Sequence, residues 1–391
     1  MQHAPSAIAH KLFLVIPMQE TLQHTPRILV ISNYRGFHTV RPEAEMFIGL
    51  AQYGFQIHIM TYEDSEYTER FREAGIQVIN FHPEKKLSGA EIRFIRDYLT
   101  SNRIDILHLF NNAAIINGIQ AAKNLPVKVM LYRGYEGHIH WYDPLAYLAF
   151  LHPRVNKIIC NSQGVEEYLQ RQLFFGKEKT ITINKGHRLE WYEHIRATDV
   201  RAELNLPSDS FLVVNVANNR KFKGIPYLLK AFNKIPNELP VYLILVGNDM
   251  KTSSNLDIIN NGGKADKIKL LGFRKDAMSI VAGCDVFALA SLYGESITKS
   301  VIEAMALGVA PVITDIPGNR ELVNDGVNGL VVPARNADAL CEAVLKLYDD
   351  KVLCKRFGEN SRAHIRNHLN LDQTILQTRE LYESLLQYNR R

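Results

Sequence analysis

Strand-length apolar runs alternate with helical segments in two successive series along this chain of 391 residues, and no other feature constrains the fold more. Runs without polar alternation are typical of strands buried on both faces of a parallel sheet. The sequence therefore predicts an α/β fold, with two Rossmann-like, doubly wound parallel-sheet domains facing a cleft. The predicted strands are residues 27–33, 56–61, 76–79, 104–108, 127–132 and 157–161, then 211–216, 241–246, 268–271, 286–289 and 310–313.

The alternation pauses at residues 191–207, a charged stretch that ends in Leu-Pro-Ser. Apolar residues 12–18 are too short for a membrane span and lack a small-residue cleavage site, so we predict a loose extension before the first strand. Met1 and Met18 are both candidate starts of the native chain. The predicted segments are an extension at residues 1–24, a first domain at 25–195, a second domain at 196–370 and a final helical segment at 371–391.

Composition excludes several classes of protein. Lys and Arg number 46 against 41 for Asp and Glu, and this net charge of +5 is too small for a dedicated nucleic-acid-binding protein. The four cysteines contain no Cys-x-x-Cys pair, which argues against zinc ribbons and disulfide scaffolds and favours a reducing cytoplasm. The sequence also lacks Asp-x-Asp, Gly-x-Gly-x-x-Gly after a strand, and the ATP-binding Gly-x-x-x-x-Gly-Lys-Ser/Thr loop.

Two glutamates stand eight residues apart, Glu295 at a loop tip and Glu303 inside the helix predicted for residues 298–306. The first turn of a helix has backbone N–H groups without intrahelical partners, and these favour a phosphate. Glu295 would then accept hydrogen bonds from a sugar, and Glu303 from a second polyol such as a ribose. The alternative is an ordinary amphipathic helix with solvated glutamates.

Two cations, Arg220 and Lys223, follow the first strand of the second domain. At the carboxyl end of that strand they could clamp a diphosphate leaving group, because fixed cations stabilise its growing negative charge without a metal. The alternative is a solvated basic turn.

The sequence from residue 211 to 350 resembles the family 4 glycosyltransferases, and the likeness extends more thinly over residues 27–382. That family implies a GT-B fold and retaining transfer from a nucleotide-sugar donor, with no cofactor and no metal. The motifs that carry the resemblance are Glu295 and Glu303, Gly-Val-Ala-Pro-Val-Ile at 308–313, Pro317-Gly318, Glu321-Leu-Val and Asp325-Gly-Val-Asn-Gly-Leu.

The resemblance implies a role for each matching residue. Glu303 would hold the ribose and Glu295 the sugar hydroxyls, while Arg220 and Lys223 would bind the diphosphate. Gly36 and Gly247 would lie in glycine turns beside the donor, although both fit plain turns equally well. The family usually has Gly-Arg where this chain has Ala-Asn, so Arg220 would supply the guanidinium. The donor is also expected to contact the first turn of the helix through Ser296, Ile297, Thr298 and Lys299.

The family commonly places a histidine at the end of the fifth strand, against the transferred sugar. This chain has Arg133 there and His138 and His140 shortly after, and any of the three could take that role. Each histidine is equally well explained as a structural or surface residue. The spacing of the two histidines would also suit a metal, but no third ligand is evident.

We therefore expect a cytoplasmic glycosyltransferase that acts on a saccharide or lipid-linked acceptor in cell-surface polysaccharide or lipopolysaccharide synthesis. The final helix would return to the first domain, as in GT-B enzymes. Peripheral membrane contact is possible through the basic amphipathic segment 90–101, which also fits an ordinary sheet-packing helix. A GT-B nucleotide-sugar epimerase and a non-catalytic sugar-nucleotide-binding partner are the alternatives.

Overall fold

The computed structural model describes residues 25–387, and within them the strands form two sheets in which every pairing is parallel. The first sheet has the order β3-β2-β1-β4-β5-β6-β7. Its strands are β1 (Arg27–Ile31), β2 (Gln56–Thr61), β3 (Gln77–Asn80), β4 (Ile106–Leu109), β5 (Lys128–Arg133), β6 (Lys157–Cys160) and β7 (Thr180–Thr182).

The second sheet has the order β10-β9-β8-β11-β12-β13. In both sheets the strand order reverses beside the first strand, and such a switch point opens a crevice at the carboxyl ends. The strands of the second sheet are β8 (Phe211–Val216), β9 (Val241–Val246), β10 (Ile268–Gly272), β11 (Val286–Leu289), β12 (Ala310–Thr314) and β13 (Leu330–Val332).

Helices cover both faces of each sheet, which explains why most strand residues are apolar and buried. Val30 at the centre of β1 pairs with Ile59 and His108, and all three residues are buried. The helices are α1 (Phe37–Gln52), α2 (Thr68–Glu73), α3 (Gly89–Ser101), α4 (Asn112–Ala121), α5 (Gln163–Gln172), α6 (Val200–Glu203), α7 (Ile225–Lys234), α8 (Ser253–Asn261), α9 (Ala277–Ala282), α10 (Lys299–Ala306), α11 (Ala337–Asp349), α12 (Lys351–His368) and α13 (Leu371–Gln387).

The last helix, α13, lies against the first sheet's domain although it follows the second domain in sequence. The hydroxyl of Tyr382 lies 2.8 Å from His108 Nδ1, and a Cβ on Gly49 of α1 would come within 2.3 Å of the Ile375 side chain. Where the chain crosses back, Leu371 N–H donates to His187 O at 3.2 Å, and His187 N–H donates to Leu369 O at 2.8 Å. The two chain segments between the domains are therefore hydrogen-bonded to each other.

None of the helices described over residues 25–387 has both the length and the apolar character to cross a membrane. In that part of the chain, His, Cys, Asp and Glu side chains do not gather in threes at a spacing suited to a metal ion. The predicted extension and its candidate starts, Met1 and Met18, lie outside the described residues.

Candidate active site

Glu295 and Lys223 form a buried ion pair at the carboxyl edge of the second sheet. Glu295 Oε1 lies 2.6 Å from Lys223 Nζ, and their side chains are only 9% and 15% exposed. The same carboxylate accepts hydrogen bonds from Ser291 Oγ at 2.5 Å and from Thr298 Oγ1 at 2.9 Å. Glu295 and Lys223, predicted separately as residues that bind the donor, are thus paired with each other.

A glycine turn brings the lysine to the glutamate. Gly224 follows Lys223 with φ +65°, in the left-handed region that favours glycine. A Cβ there would lie 1.9 Å from the carbonyl oxygen of Ala290, which follows β11. The turn after β8 therefore packs directly on the loop that carries Glu295.

The start of α10 lies next to this pair. Thr298 is its N-cap, and among the described residues no side chain caps the first N–H groups of this helix. Thr298 instead donates its hydroxyl to Glu295. Unpaired N–H groups at a helix start attract anions, so α10 presents an anion-binding end beside Lys223.

Residues from both domains line a cavity of about 240 Å³ beside α10, among them Lys299 at the first helical position and Glu303 one turn later. Glu303 lines it and is paired with Lys299 in a salt bridge along the helix. The carboxylate is 15% exposed at the side chain, so it faces the cavity more than bulk solvent. The other lining residues are Phe37, Arg41, Pro42, His187, Trp191, Tyr192, His194 and Met278.

Models of two known protein families match this chain. Residues 44–191 match the model described as Glycosyltransferase Family 4, and residues 197–364 match the model described as Glycosyl transferases group 1. The chain belongs to glycosyltransferase family 4.

Several relatives of this family 4 glycosyltransferase have named activities. An Escherichia coli UDP-Gal:alpha-D-GlcNAc-diphosphoundecaprenol alpha-1,3-galactosyltransferase is 27% identical over 58% of this chain and 59% of its own length. A Campylobacter jejuni N,N'-diacetylbacillosaminyl-diphospho-undecaprenol alpha-1,3-N-acetylgalactosaminyltransferase is 23% identical over 82% of this chain and 89% of its own. The matched region spans between 49% and 59% of the length of several relatives, the Escherichia coli protein among them.

Solved structures confirm the predicted fold. The Anabaena protein HepE, solved in complex with UDP, superimposes on this family 4 glycosyltransferase with a TM-score of 0.73. It is 20% identical, and the match covers 92% of this chain and 100% of that one. The two facing Rossmann-like domains of a GT-B fold are therefore present.

Ala217 and Asn218 occupy the position where the family usually has Gly-Arg, and Asn219 follows them. Asn218 Oδ1 accepts a hydrogen bond from Asn248 N–H at 3.0 Å, and Asn219 Nδ2 donates to Asp249 O at 2.9 Å. Gly247 has φ +146°, and a Cβ there would lie 1.8 Å from Ala217 O. The asparagines thus join the loops after β8 and β9, and this close approach requires the glycine.

Arg220 lies in the same turn as Lys223 and is exposed. Its guanidinium contacts no carboxylate within the described residues, so it is available to a ligand. Near Gly247 a second cavity, of about 460 Å³, opens between the ends of β9 and β10. Gly272 lines that cavity, while the adjacent Phe273 is exposed.

Two of the predicted donor residues contact other parts of the protein. Ser296 Oγ donates to Ser162 Oγ and accepts from Asn161 Nδ2, both at 3.2 Å, so it joins the second domain to the first. Ile297 is buried in the apolar core. Only the backbone groups of Ile297 are therefore open to a role at the helix start.

Gly36 precedes α1 in the first domain. It has φ +81°, and a Cβ there would meet no atom within 4 Å. Glycine is therefore favoured here by the backbone conformation and not by a close contact. The helix it precedes supplies Phe37 and Arg41 to the cavity that Glu303 lines. Gly36 thus lies at the margin of that cavity.

Arg133 is buried, and its guanidinium is used within its own loop. It donates to Tyr135 O at 2.8 Å and to Gly137 O, and lies 3.6 Å from the centre of the Tyr135 ring. His138 is exposed, and His140 stacks on Tyr142 with ring centres 5.0 Å apart. None of the three predicted candidates is among the described residues that line the cavity beside Glu303.

Arg41, Trp191 and Tyr192 line the cavity but were not predicted as site residues. The Arg41 guanidinium lies 4.4 Å from the centre of the Trp191 ring, and its buried Nε has no hydrogen-bond partner in the described structure. Burial lowers the pKa of Arg41. The one available signal was a cation one turn into a helix that follows a strand and a glycine.

His187 and Tyr192 form a neutral pair in the wall of this cavity. Tyr192 Oη lies 2.6 Å from His187 Nδ1. Burial lowers the pKa of His187 to about 3, and burial together with the charge of Glu303 raises the pKa of Tyr192. Neither ring is charged at neutral pH, so the charges at this wall belong to Arg41, Lys299 and Glu303.

Glu321, part of the family resemblance, holds the two domains together. Its carboxylate accepts from Gln163 N–H at the start of α5 at 2.6 Å, and from Asn184 Nδ2 at 3.1 Å. Both donors belong to the first domain. Burial raises the pKa of Glu321, although these hydrogen bonds oppose that rise.

Proposed function

We propose that this family 4 glycosyltransferase moves a sugar, with retention of anomeric configuration, from a nucleotide-sugar donor to a hydroxyl of a saccharide or lipid-linked acceptor, without a metal ion. One observation carries the proposal. The ion pair of Lys223 and Glu295 lies beside an uncapped helix start, and Glu303 faces a cavity further along that helix.

The charges suit a diphosphate that leaves. When the bond from the anomeric carbon to the donor phosphate breaks, negative charge accumulates on the phosphate oxygens. Lys223, Arg220 and the free N–H groups of α10 would stabilise that charge. Glu295 would accept hydrogen bonds from the sugar hydroxyls, and Glu303 from the ribose.

Retention would follow from attack on the face that the phosphate leaves. The acceptor oxygen forms its bond to the anomeric carbon there, and a departing phosphate oxygen takes the acceptor proton. Closure of the two domains would exclude water, which competes as an acceptor. The contact of Glu321 with the start of α5 is the kind of contact that such closure needs.

The acceptor class is inferred from the relatives. The names of the Escherichia coli and Campylobacter jejuni proteins both specify a diphospho-undecaprenol-linked saccharide. We propose an acceptor of that kind here, within cell-surface glycan synthesis at the cytoplasmic face of a membrane.

A thermal-shift screen against nucleoside diphosphates and nucleotide sugars tests the donor site, because a ligand that binds the folded protein raises its melting temperature. We expect one base to stabilise the wild type, and Glu303→Gln to lose most of that shift. Glu383→Gln is the matched control, since Glu383 also pairs with a cation one helical turn earlier, Arg379, but on α13. A chain that no nucleotide stabilises would contradict the proposal.

Incubation with the donor identified in that screen then separates the reactions. Transfer to a lipid-linked or saccharide acceptor, with the anomeric configuration read by NMR, supports the proposal. Conversion of the donor without any acceptor would show an epimerase. Binding without turnover on any acceptor extract would show a non-catalytic partner.

A further inference from the structure

Six large apolar side chains are exposed together on the first domain, and we name this cluster the aromatic surface. Phe175 is 91% exposed and Phe174 is 64% exposed. The Phe174 and Trp141 rings lie 5.4 Å apart, and the Tyr147 hydroxyl donates to Trp141 O at 2.8 Å. The aromatic surface consists of Trp141, Tyr142, Leu145, Tyr147, Phe174 and Phe175.

The segment after β5 positions this surface by running along α5. Tyr168 Oη of α5 accepts from Ile139 N–H at 3.2 Å and donates to Ile139 O at 2.6 Å. One turn further on, Gln172 Oε1 accepts from Trp141 N–H at 3.3 Å. Since α5 begins at the contact with Glu321 and rises about 1.5 Å per residue, its ten residues place the aromatic surface about 15 Å from the cleft.

Cations flank the two phenylalanines. Arg171 precedes them at the end of α5, and Lys177 follows them, and both side chains are exposed. Lys179 also lies nearby and donates to Pro153 O at 3.2 Å. Glu178 is the one acidic residue in the segment from 171 to 179, and Asp143 is the one acidic residue in the segment from 141 to 147. With Arg171, Lys177 and Lys179, the formal charge of the two segments together is still positive.

We infer that the aromatic surface docks on an anionic lipid bilayer. Tryptophan and tyrosine favour the membrane–water interface, where an apolar ring and a polar group are both accommodated. Exposed phenylalanines between cations add apolar burial to the attraction of anionic headgroups. This surface differs from the donor site in location and chemistry, and its docking does not depend on the donor assignment.

Helix α3, the segment predicted from the sequence for membrane contact, is less suited to that role. Arg96 donates to the carbonyl oxygens of Ala121 and Lys123, at 2.9 and 2.7 Å, so its charge serves the fold. Phe94 packs on Phe81 with ring centres 4.3 Å apart. Lys85, Lys86 and Arg93 near α3 are exposed, but most of the large exposed aromatic side chains of the first domain lie at the aromatic surface instead.

Docking at this surface would hold the contact of Glu321 with α5, at the cleft, within about 15 Å of the aromatic surface on the bilayer. A lipid-linked acceptor could then remain anchored while the sugar at its far end reaches the cleft. Because the membrane limits diffusion to two dimensions, docking would also raise the acceptor concentration near the enzyme. That consequence applies only if the proposed transfer reaction is correct.

Co-sedimentation with vesicles tests the inference. We expect wild type to sediment with vesicles of phosphatidylcholine and phosphatidylglycerol at low salt, more weakly at high salt, and more weakly still without the anionic lipid. Phe174→Ser/Phe175→Ser should bind these vesicles at least about tenfold more weakly, because two apolar rings no longer enter the lipid. Val352→Ser removes another highly exposed apolar side chain, on α12, and should bind as wild type does.

Tryptophan fluorescence locates the contact. The chain has two tryptophans, and Trp191 is buried whereas Trp141 is half exposed. Brominated lipids should quench the wild type, and Trp141→Phe should remove that quenching. An unchanged melting temperature and nucleotide shift would show that each variant keeps its fold.

Three results would overturn the inference. Wild type could remain in the supernatant with anionic vesicles, or the double phenylalanine variant could sediment as wild type does. Alternatively, light scattering could show a wild-type dimer and a monomeric double variant, which would make the aromatic surface an interface between copies of the chain. If vesicles bind but no nucleotide does, the docking stands and the transferase proposal fails.

Discussion

Removal of Lys223 should destabilise the protein, because it leaves the buried carboxylate of Glu295 without its ion-pair partner. In Lys223→Met, the carboxylate of Glu295 stays 9% exposed and loses the ammonium group 2.6 Å away. Removing one partner of a buried ion pair lowers the free energy of unfolding by about 3–5 kcal/mol. We expect the lower value, about 3 kcal/mol, because the hydroxyls of Ser291 and Thr298 still donate to the carboxylate.

Glu295→Gln in the same chain should reverse most of that loss. The double variant has no unpaired charge, so its free energy of unfolding should lie within about 1 kcal/mol of wild type. Nucleoside diphosphate binding should not recover, because the ammonium group is still missing. Transfer should remain slower by about two orders of magnitude in both variants, as for loss of one charge-stabilising donor.

Urea unfolding followed by circular dichroism measures the stability, and calorimetry measures the binding. About 3 kcal/mol should lower the urea midpoint by about 1 M. Lys234→Met is the control, since Lys234 forms an exposed ion pair with Asp338, and its urea midpoint should not change. A wild-type midpoint for Lys223→Met, or a double variant as unstable as the single one, would refute the buried-pair reasoning.

Two further predictions concern stability. His108 and His187 have pKa values lowered by burial from 6.5 to about 3, so only the unfolded chain gains these protons as the pH falls below about 6.5. At about pH 5 each of these histidines should lower the free energy of unfolding by about 2 kcal/mol. The urea midpoint of the wild type should therefore fall between about pH 7 and pH 5, and His187→Gln should make that fall smaller. An equal fall in the variant would contradict the lowered pKa of His187. Gly247→Ala should destabilise by about 1–3 kcal/mol, since its Cβ would collide with a backbone carbonyl. Gly263→Ala, with φ +62° and open space around the Cβ, should lose less in the same urea assay, and equal losses would contradict the steric argument.

Much of the fold was predictable from apolar runs. The predicted limits of β2, β8, β9 and β11 agree with the structure because burial on both faces makes most of the residues in those strands apolar. Strands β7 and β13 were not predicted. Each has three residues at the edge of its sheet, too few to give a pattern.

The site was predictable where one short segment carries it. Glu295, Glu303 and the start of α10 come from one run of sequence. The ion pair with Lys223 joins separate loops, and only the packing of Gly224 on β11's end reveals it. Arg41 and Trp191 come from distant parts of the first domain's sequence, and no local pattern encodes their contact.

The paired chain crossings near His187 and Leu371 have a mechanical consequence. Two covalent tethers bonded side by side permit one domain to swing on the other, but they resist sliding and twisting. Any opening and closing of the two domains would then follow a narrow arc, and each cycle would return the same side chains to the same opposite neighbours. The connectivity of the chain would thereby help to align two reactants, and this lowers the entropy lost when they reach a reactive arrangement.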